Sequence, residues 1–352
     1  MDFSRRDFLR QTLAADLAFK SNAARVGALF EPIKKKVLIV GCNKAGFAIM
    51  EELKKQDSSV HVTVTTTKPK RLKWLKKLAD DAVLIPQLAT PDDPELTNAV
   101  RACNAVVIAD AVRIFSVHSF VRTAARIRQI VDKTQWDGVL GMLSSENAYG
   151  SVLGGQMLTE DCGIFPNIKH VPAPELRNNV LSWHVNPYAI GLALRQAEST
   201  IVDGPQPAFV FRTAGVWDDA AFREAAMYTD GRAFPACVAD SYISFCTTKK
   251  IGKAVTWALN RKISGVFNLR EKDIKGLTRA VFYENIQKRY NVNDEGRIIW
   301  DPNMDFDEDK LFCMDVEPFL PVSQRSNSQM SCAKLLEKGF ISKSDASSDL
   351  GV

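Results

Sequence analysis

Ten residues, Val37–Gly46 (VLIVGCNKAG), constrain the fold of this chain more than any other stretch. An apolar run of strand length breaks at a glycine and passes into a helical pattern. That is how a buried strand turns into a helix in a nucleotide-binding βα unit. The spacing Gly41-x-Asn43-x-x-Gly46 reads as a G-x-G-x-x-G fingerprint with asparagine in the middle place. Gly41 supplies the tight turn. Gly46 lets the helix lie close to the strand and aims its first amides at a pyrophosphate, with Lys44 beside it. Asn43 is expected to take a left-handed backbone, which asparagine enters more readily than other non-glycine residues, with its side chain crowding the phosphate. Taken alone, the fingerprint is either a nucleotide cradle or a turn whose glycines serve only packing.

The rest of the chain alternates in the same way. Residues Val37–Val40, Val60–Thr65, Ala82–Leu88, Ala105–Ala109 and Gly138–Ser144 read as strands. Helical segments over Gly46–Lys55, Arg71–Leu78, Pro94–Cys103 and Ile114–Val131 separate them. This alternation predicts an α/β chain with a doubly wound (Rossmann) parallel sheet and helices on both faces. A loop-rich insertion, Gly155–His184, precedes a helix over Tyr188–Ser199 and a sixth strand at Ala208–Phe211. The pattern is then mixed, with Tyr242–Phe245, a helix at Ile251–Leu259, a strand at Val266–Leu269 and a helix at Gly276–Tyr290. The expected organisation is a targeting or docking segment (1–34), an NAD(P)-binding Rossmann domain (35–205), strand six with a smaller substrate-binding region (206–340), and a Ser/Asp-rich disordered tail (341–352).

Composition narrows the function classes. A net charge of +5 and a pI of about 8.7 are mild and do not by themselves imply nucleic acid. The seven cysteines and four histidines are dispersed without metal-ligand spacing, so no metal site is expected, and buried free thiols are the reading for the cysteines. No apolar run has the length of a membrane span. The N-terminus stays open. Ser4–Arg10 matches the twin-arginine export motif, and Ser21-Asn22-Ala23 offers a cleavage site, but Asp16 and Lys20 interrupt the apolar segment. The other readings are an amphipathic helix that docks a protein partner through Phe3, Leu9, Leu13 and Leu17, and a remnant of organelle targeting such as to the plastid stroma. The latter two go with a soluble protein in a reducing compartment.

The end of strand two distinguishes cofactors. An acid there binds the ribose 2′-hydroxyl of NAD; cations accept the 2′-phosphate of NADP. This chain has Thr65-Thr66-Thr67-Lys68-Pro69-Lys70-Arg71, with no acid. Thr66, Lys68 and Arg71 therefore point to NADP rather than NAD. The competing reading is a solvated helix, with Lys73, Lys76 and Lys77 on one side and Leu72, Leu75 and Leu78 on another.

Strand five ends in Leu143-Ser144-Ser145-Glu146-Asn147-Ala148-Tyr149-Gly150. With the glycine turn, this resembles the extended short-chain dehydrogenase/reductases, the NAD(P)-dependent epimerase/dehydratase superfamily. The resemblance continues in order through Phe211-Arg212-Thr213-Ala214-Gly215-Val216-Trp217, Tyr242–Leu259, Gly265-Val266-Phe267-Asn268-Leu269 and Cys332–Phe340. It spans roughly Lys36–Phe340 and looks closest to divergent, atypical members.

The resemblance implies a Ser/Thr that polarises a carbonyl, a tyrosine acid/base, and a lysine four residues later that lowers the tyrosine pKa and holds the nicotinamide ribose. Ser145 and Tyr188 match the first two roles. Leu192 stands in the lysine's place, and Arg195 is too far along the helix from Tyr188 to replace it. Tyr149 reads as a ring packed beside nicotinamide or substrate, Glu146 as a solvated loop carboxylate. Arg212 is left between a substrate anion and a structural acid. Two functions follow as expectations. One is a divergent NAD(P)-binding epimerase/dehydratase-like oxidoreductase acting on a small, sugar-nucleotide-like substrate. The other is a catalytically degenerate fold serving as a structural, assembly or regulatory subunit. Binding of nucleic acid through Lys68–Lys77 is not expected, because no wider basic and aromatic platform accompanies it.

Overall fold

Seven strands lie parallel in one sheet: β1 (Lys36–Val40), β2 (His61–Thr66), β3 (Asp81–Leu84), β4 (Ala105–Ile108), β5 (Val139–Ser145), β7 (Ala208–Thr213) and β11 (Gly265–Leu269). Their order is β11-β7-β5-β4-β1-β2-β3. The sheet is therefore wound outward in both directions from β1 and β4, as the strand–helix alternation predicts. This computed structural model describes residues 36–85, 93–109, 117–150, 157–164, 187–229, 233–235, 239, 244–271, 277–290, 299–301 and 329–340. The N-terminal segment 1–34, residues 155–156 and 165–184 of the loop-rich insertion and the 341–352 tail lie outside them.

Both faces of the sheet are covered, which is why its central strands are almost continuously apolar. Alternate residues divide between the faces. Leu38, Val40, Val106, Ile108, Leu140, Met142 and Val210 share a core with α3 (Pro94–Arg101), α4 (Val117–Thr134) and α5 (Pro187–Val202). Ile39 faces the other way, toward Gly46 of α1 (Lys44–Gln56). Each such aliphatic side chain contributes about 1.5–3 kcal/mol on burial.

On that second face α1 packs against α7 (Thr248–Arg261). The two backbones approach closely at Gly252, where a Cβ would stand 2.4 Å from the Ala48 carbonyl oxygen and 3.3 Å from Glu52 Cβ. Alanine would add about 1 kcal/mol of helix propensity, but the obstacle is backbone and cannot rotate aside. Gly252→Ala is therefore expected to be net destabilising, by about 1–2 kcal/mol. A urea denaturation midpoint equal to or above wild type would show that the helices separate freely.

Element ends differ from the sequence expectation mainly where helices stop. The helix α2 (Pro69–Leu75) ends at Leu75, and the chain continues as a turn in which Leu78 Nα donates to the Leu75 carbonyl. Leu78 is thus exposed rather than aligned with Leu72 and buried Leu75. The smaller region holds three two-stranded parallel pairings: β8 (Gly215–Trp217) with β10 (Phe245–Thr247), β9 (Ala233–Pro235) with β12 (Ile299–Asp301), and β6 (Met157–Leu158) with β13 (Gln329–Met330). Its core is aromatic. Trp217 stacks on Phe222 of α6 (Asp219–Thr229) at 5.2 Å, and Phe282 of α8 (Arg279–Arg289) meets Trp217 edge-on at 5.2 Å. The last described helix, α9 (Ala333–Glu337), buries Leu335.

Candidate functional site

The carboxyl ends of β1 and β4, where the winding reverses, open the crevice in which this architecture takes its ligands. Gly41 leaves β1 with φ of 85°, a conformation that favours glycine. Its amide donates to Thr65 Oγ1 at 3.0 Å, which fastens the turn to β2. A Cβ on Gly46 would lie 2.9 Å from the Gly41 carbonyl oxygen, so both glycines are required by geometry.

Asn43 departs from the expectation. Its φ is −96°, extended rather than left-handed. It is the N-cap of α1, and its side-chain oxygen accepts from the Ala45 amide at 2.9 Å and the Gly46 amide at 3.1 Å. Asparagine is among the best capping residues, and that preference explains it better than backbone permissiveness does. Two of the amides that a phosphate would use are thus partnered by the protein itself. Lys44 is also engaged: its ammonium pairs with Asp218, at 3.1 and 3.0 Å from the two carboxylate oxygens. Burial would raise the Asp218 carboxyl, but the Ala221 amide and Lys44 outweigh it and hold it below its usual range.

Beyond β2, the Thr66 hydroxyl accepts from the Lys68 amide at 3.1 Å, and Lys68 is exposed. Arg71 reaches back from α2, and its Nη2 donates to the Cys42 carbonyl at 2.9 Å. A guanidinium therefore stands directly at the glycine turn. Burial pushes the Cys42 thiol up to about 11 against the pull of Arg71, so this sulfur behaves as a small apolar group. Cys42, Cys103, Cys246 and Cys332 are buried free thiols, Cys162 is partly exposed, and Cys237 and Cys313 lie outside the described residues. Among the described residues no group of three metal-ligating side chains forms, and no helix is long and apolar enough to cross a membrane.

At the end of β5, Ser145 caps a 3-10 turn (Glu146–Tyr149), and its oxygen accepts from Asn147 Nα at 3.2 Å and Asn147 Nδ2 at 3.0 Å. Tyr188 stands in the first turn of α5; its side chain lies outside the described residues. Leu192, one turn on, is 48% exposed. Arg195 turns away from that place and donates to the carbonyls of Ala148 at 2.9 Å and Cys162 at 2.7 Å. The Arg195 guanidinium is therefore committed to these carbonyls. Glu146 is half-buried rather than freely solvated, with a Gly215 Cβ position 3.9 Å from its Oε1.

Tyr149 corrects a second expectation. It is 0% exposed and cannot line the crevice. Its hydroxyl donates to Asn268 Oδ1 at 2.5 Å and accepts from Arg212 Nη1 at 3.0 Å. Burial raises its pKa, with Arg212 pulling the other way. Arg212 takes the structural acid: its Nη2 pairs with Glu198 Oε2 at 2.7 Å, both side chains 3% exposed. Ser144 Oγ donates to the same carboxylate at 2.7 Å. On the next strand, the Asn268 amide donates to Glu160 Oε1 at 2.7 Å. Sequence reasoning passed over Glu198 and Glu160. A signal for the first exists, because Glu198 falls among the buried positions Ile190, Leu194, Ala197 and Ile201 of one helix, where a carboxylate needs a partner.

A dinucleotide fits this crevice unevenly. Gly41, Gly46, Lys68 and Arg71 suit its adenosine and phosphate end. Asn43 already accepts from two amides that a phosphate would use, and Leu192, in the place that the resemblance gives to a lysine, carries no donor.

No protein-family model matches the chain, and no curated protein does. Solved structures do. A conserved protein of unknown function from Silicibacter pomeroyi is similar at 15% identity, with a TM-score of 0.59 over 86% of this chain and 92% of that one. The Bordetella bronchiseptica enzyme WbmG, solved in complex with NAD and UDP, is similar at 13% identity and a TM-score of 0.57, over 86% and 88% of the two chains. A hypothetical dTDP-4-dehydrorhamnose reductase from Sulfolobus tokodaii is similar at 13% identity and a TM-score of 0.56, over 86% and 94%. The chain thus has the Rossmann-like α/β fold that these proteins share.

Proposed function

We propose that the chain binds NADP in the β1–β4 crevice and acts as a divergent, epimerase/dehydratase-like oxidoreductase on a small substrate of sugar-nucleotide type. One observation carries the cofactor assignment: the β2 end presents Lys68 and Arg71 with no carboxylate, and Arg71 is held at the Cys42 carbonyl beside the glycine turn. Thr66, Lys68 and Arg71 would hold the 2′-phosphate, and the turn Gly41–Gly46 with Lys44 the pyrophosphate. Bound cofactor supplies or accepts hydride. Ser145 would polarise a substrate carbonyl, and Tyr188 would exchange its proton. The substrate class rests on the shared fold with WbmG, which was solved with UDP. Titration of the purified chain with NADPH and NADH tests the reading. Micromolar NADPH binding with much weaker NADH is expected, and binding of neither would overturn it.

Leu192 and the inward turn of Arg195 favour a second reading, an NADP-binding subunit without catalysis of its own. Leu192→Lys distinguishes the two. If this place faces the nicotinamide ribose, a donor there is expected to tighten NADPH binding by about tenfold and to lower the Tyr188 pKa. Turnover gained with the lysine, from a wild type that has none, would favour the second reading. Unchanged affinity would remove α5 from the cofactor site.

A further inference from the structure

We infer that α2 and the turn after it form a docking surface for an anionic phospholipid bilayer. From Thr66 to Ala79 the chain carries six cations and no acid: Lys68, Lys70, Arg71, Lys73, Lys76 and Lys77. All but Arg71 are exposed. The same short element exposes two large apolar side chains one helical turn apart, Trp74 and Leu78, each 47% exposed. Turn hydrogen bonds continue past Leu75, with Lys77 Nα donating to the Trp74 carbonyl and Ala79 Nα to the Leu75 carbonyl. The backbone positions of Trp74, Leu78 and the flanking lysines are therefore fixed relative to one another.

The element is anchored as a platform. Leu75 is buried, the Trp74 ring meets Phe47 of α1 edge-on at 4.9 Å, and Arg71 lies 5.8 Å from the Trp74 ring centre. The nearest following acid, Asp80, does not neutralise the patch, because Lys54 pairs with it at 2.5 Å. A half-exposed tryptophan and a leucine ringed by long, flexible lysines match a lipid interface. There the indole and the aliphatic side chain enter the headgroup layer while the ammonium groups stay with lipid phosphates and carboxylates. Charge complementarity selects an anionic surface. Single-stranded nucleic acid fits less well, since it asks for successive stacking rings along a phosphate-tracking groove, and Leu78 offers no ring.

Sedimentation of the full chain with phosphatidylcholine vesicles, with and without about a third phosphatidylserine, tests this. Binding is expected only with phosphatidylserine, and it should weaken as salt rises. The triple variant Lys73→Glu/Lys76→Glu/Lys77→Glu uses none of the residues assigned to NADP. It should lose at least about 100-fold in partitioning, since removal of each lysine charge accounts for roughly fivefold and the reversal to glutamate adds repulsion. Leu78→Gln, an exposed change, should lose a smaller factor while leaving the fold intact by circular dichroism. Equal partitioning to both vesicle types, or partitioning that the triple variant does not change, would overturn the inference. So would tight binding to a single-stranded oligonucleotide that the triple variant abolishes and vesicles fail to displace.

Discussion

Glu198→Ala is expected to destabilise the fold by about 3–5 kcal/mol, the range for removing one partner of a buried ion pair. The reason is what remains behind. Arg212 Nε donates to both carboxylate oxygens of Glu198, at 3.0 and 3.1 Å, and Nη2 to one of them at 2.7 Å. Without that carboxylate the guanidinium keeps, among the described residues, the Tyr149 hydroxyl and the Glu160 carbonyl, at 3.0 and 3.1 Å. Ser144 Oγ loses its acceptor as well. A second cation worsens the balance, since Arg195 and Arg212 lie 5.0 and 4.9 Å from the Tyr149 ring centre. Urea denaturation with an unchanged slope measures the effect. A loss below about 1 kcal/mol would mean that water reaches Arg212. Glu198→Leu combined with Arg212→Met should recover part of the loss, because it removes the orphaned charge along with its partner.

That network also bears on the crevice. It ties α5 to β5 and β7 through Glu198, Ser144 and Arg212, and α5 and β5 carry Tyr188 and Ser145. Glu198→Ala is therefore expected to loosen the spacing between the two proposed reacting groups even though neither is touched. Preorganisation of this kind is what a site on rigid elements needs.

The parallel, doubly wound sheet was legible because its central strands are buried on both faces and read as apolar runs between helical stretches. The glycine turn was legible for a related reason, since close approach at Gly46 and a positive φ at Gly41 both exclude side chains. Asn43 was misread because asparagine suits two different jobs, left-handed turns and helix caps. Only the φ and the two accepted amides distinguish them. Tyr149 was misplaced because the pattern that names it says nothing about which way the ring turns. Arg212 sits in an apolar run on β7, and Glu198 on an apolar stripe of α5. Each signals a buried charge, but their pairing depends on a contact between segments that local pattern does not reveal.

Lys68→Glu/Arg71→Glu is expected to weaken NADPH binding by about 100-fold while leaving NADH within a few-fold of wild type. Charge-assisted hydrogen bonds to a phosphate dianion contribute about 1.5–3 kcal/mol each. Lys68 is exposed, so solvent reduces its share, and about 100-fold for the pair is the result. The NADH control carries the weight, because Arg71 has a second job. Its hydrogen bond to the Cys42 carbonyl braces the turn that either cofactor would need. If NADPH and NADH affinities fall together, Arg71 is a strut for the glycine turn, and the 2′-phosphate assignment fails. If neither changes, the β2 end does not meet a cofactor, and the basic residues of α2 are left to other anions. Only loss confined to NADPH fits a guanidinium that reads the phosphate and whose bond to the Cys42 carbonyl the turn can spare. In that case Lys68→Glu alone should show the same selectivity at smaller magnitude, since among the described residues no hydrogen bond joins that exposed side chain to the turn.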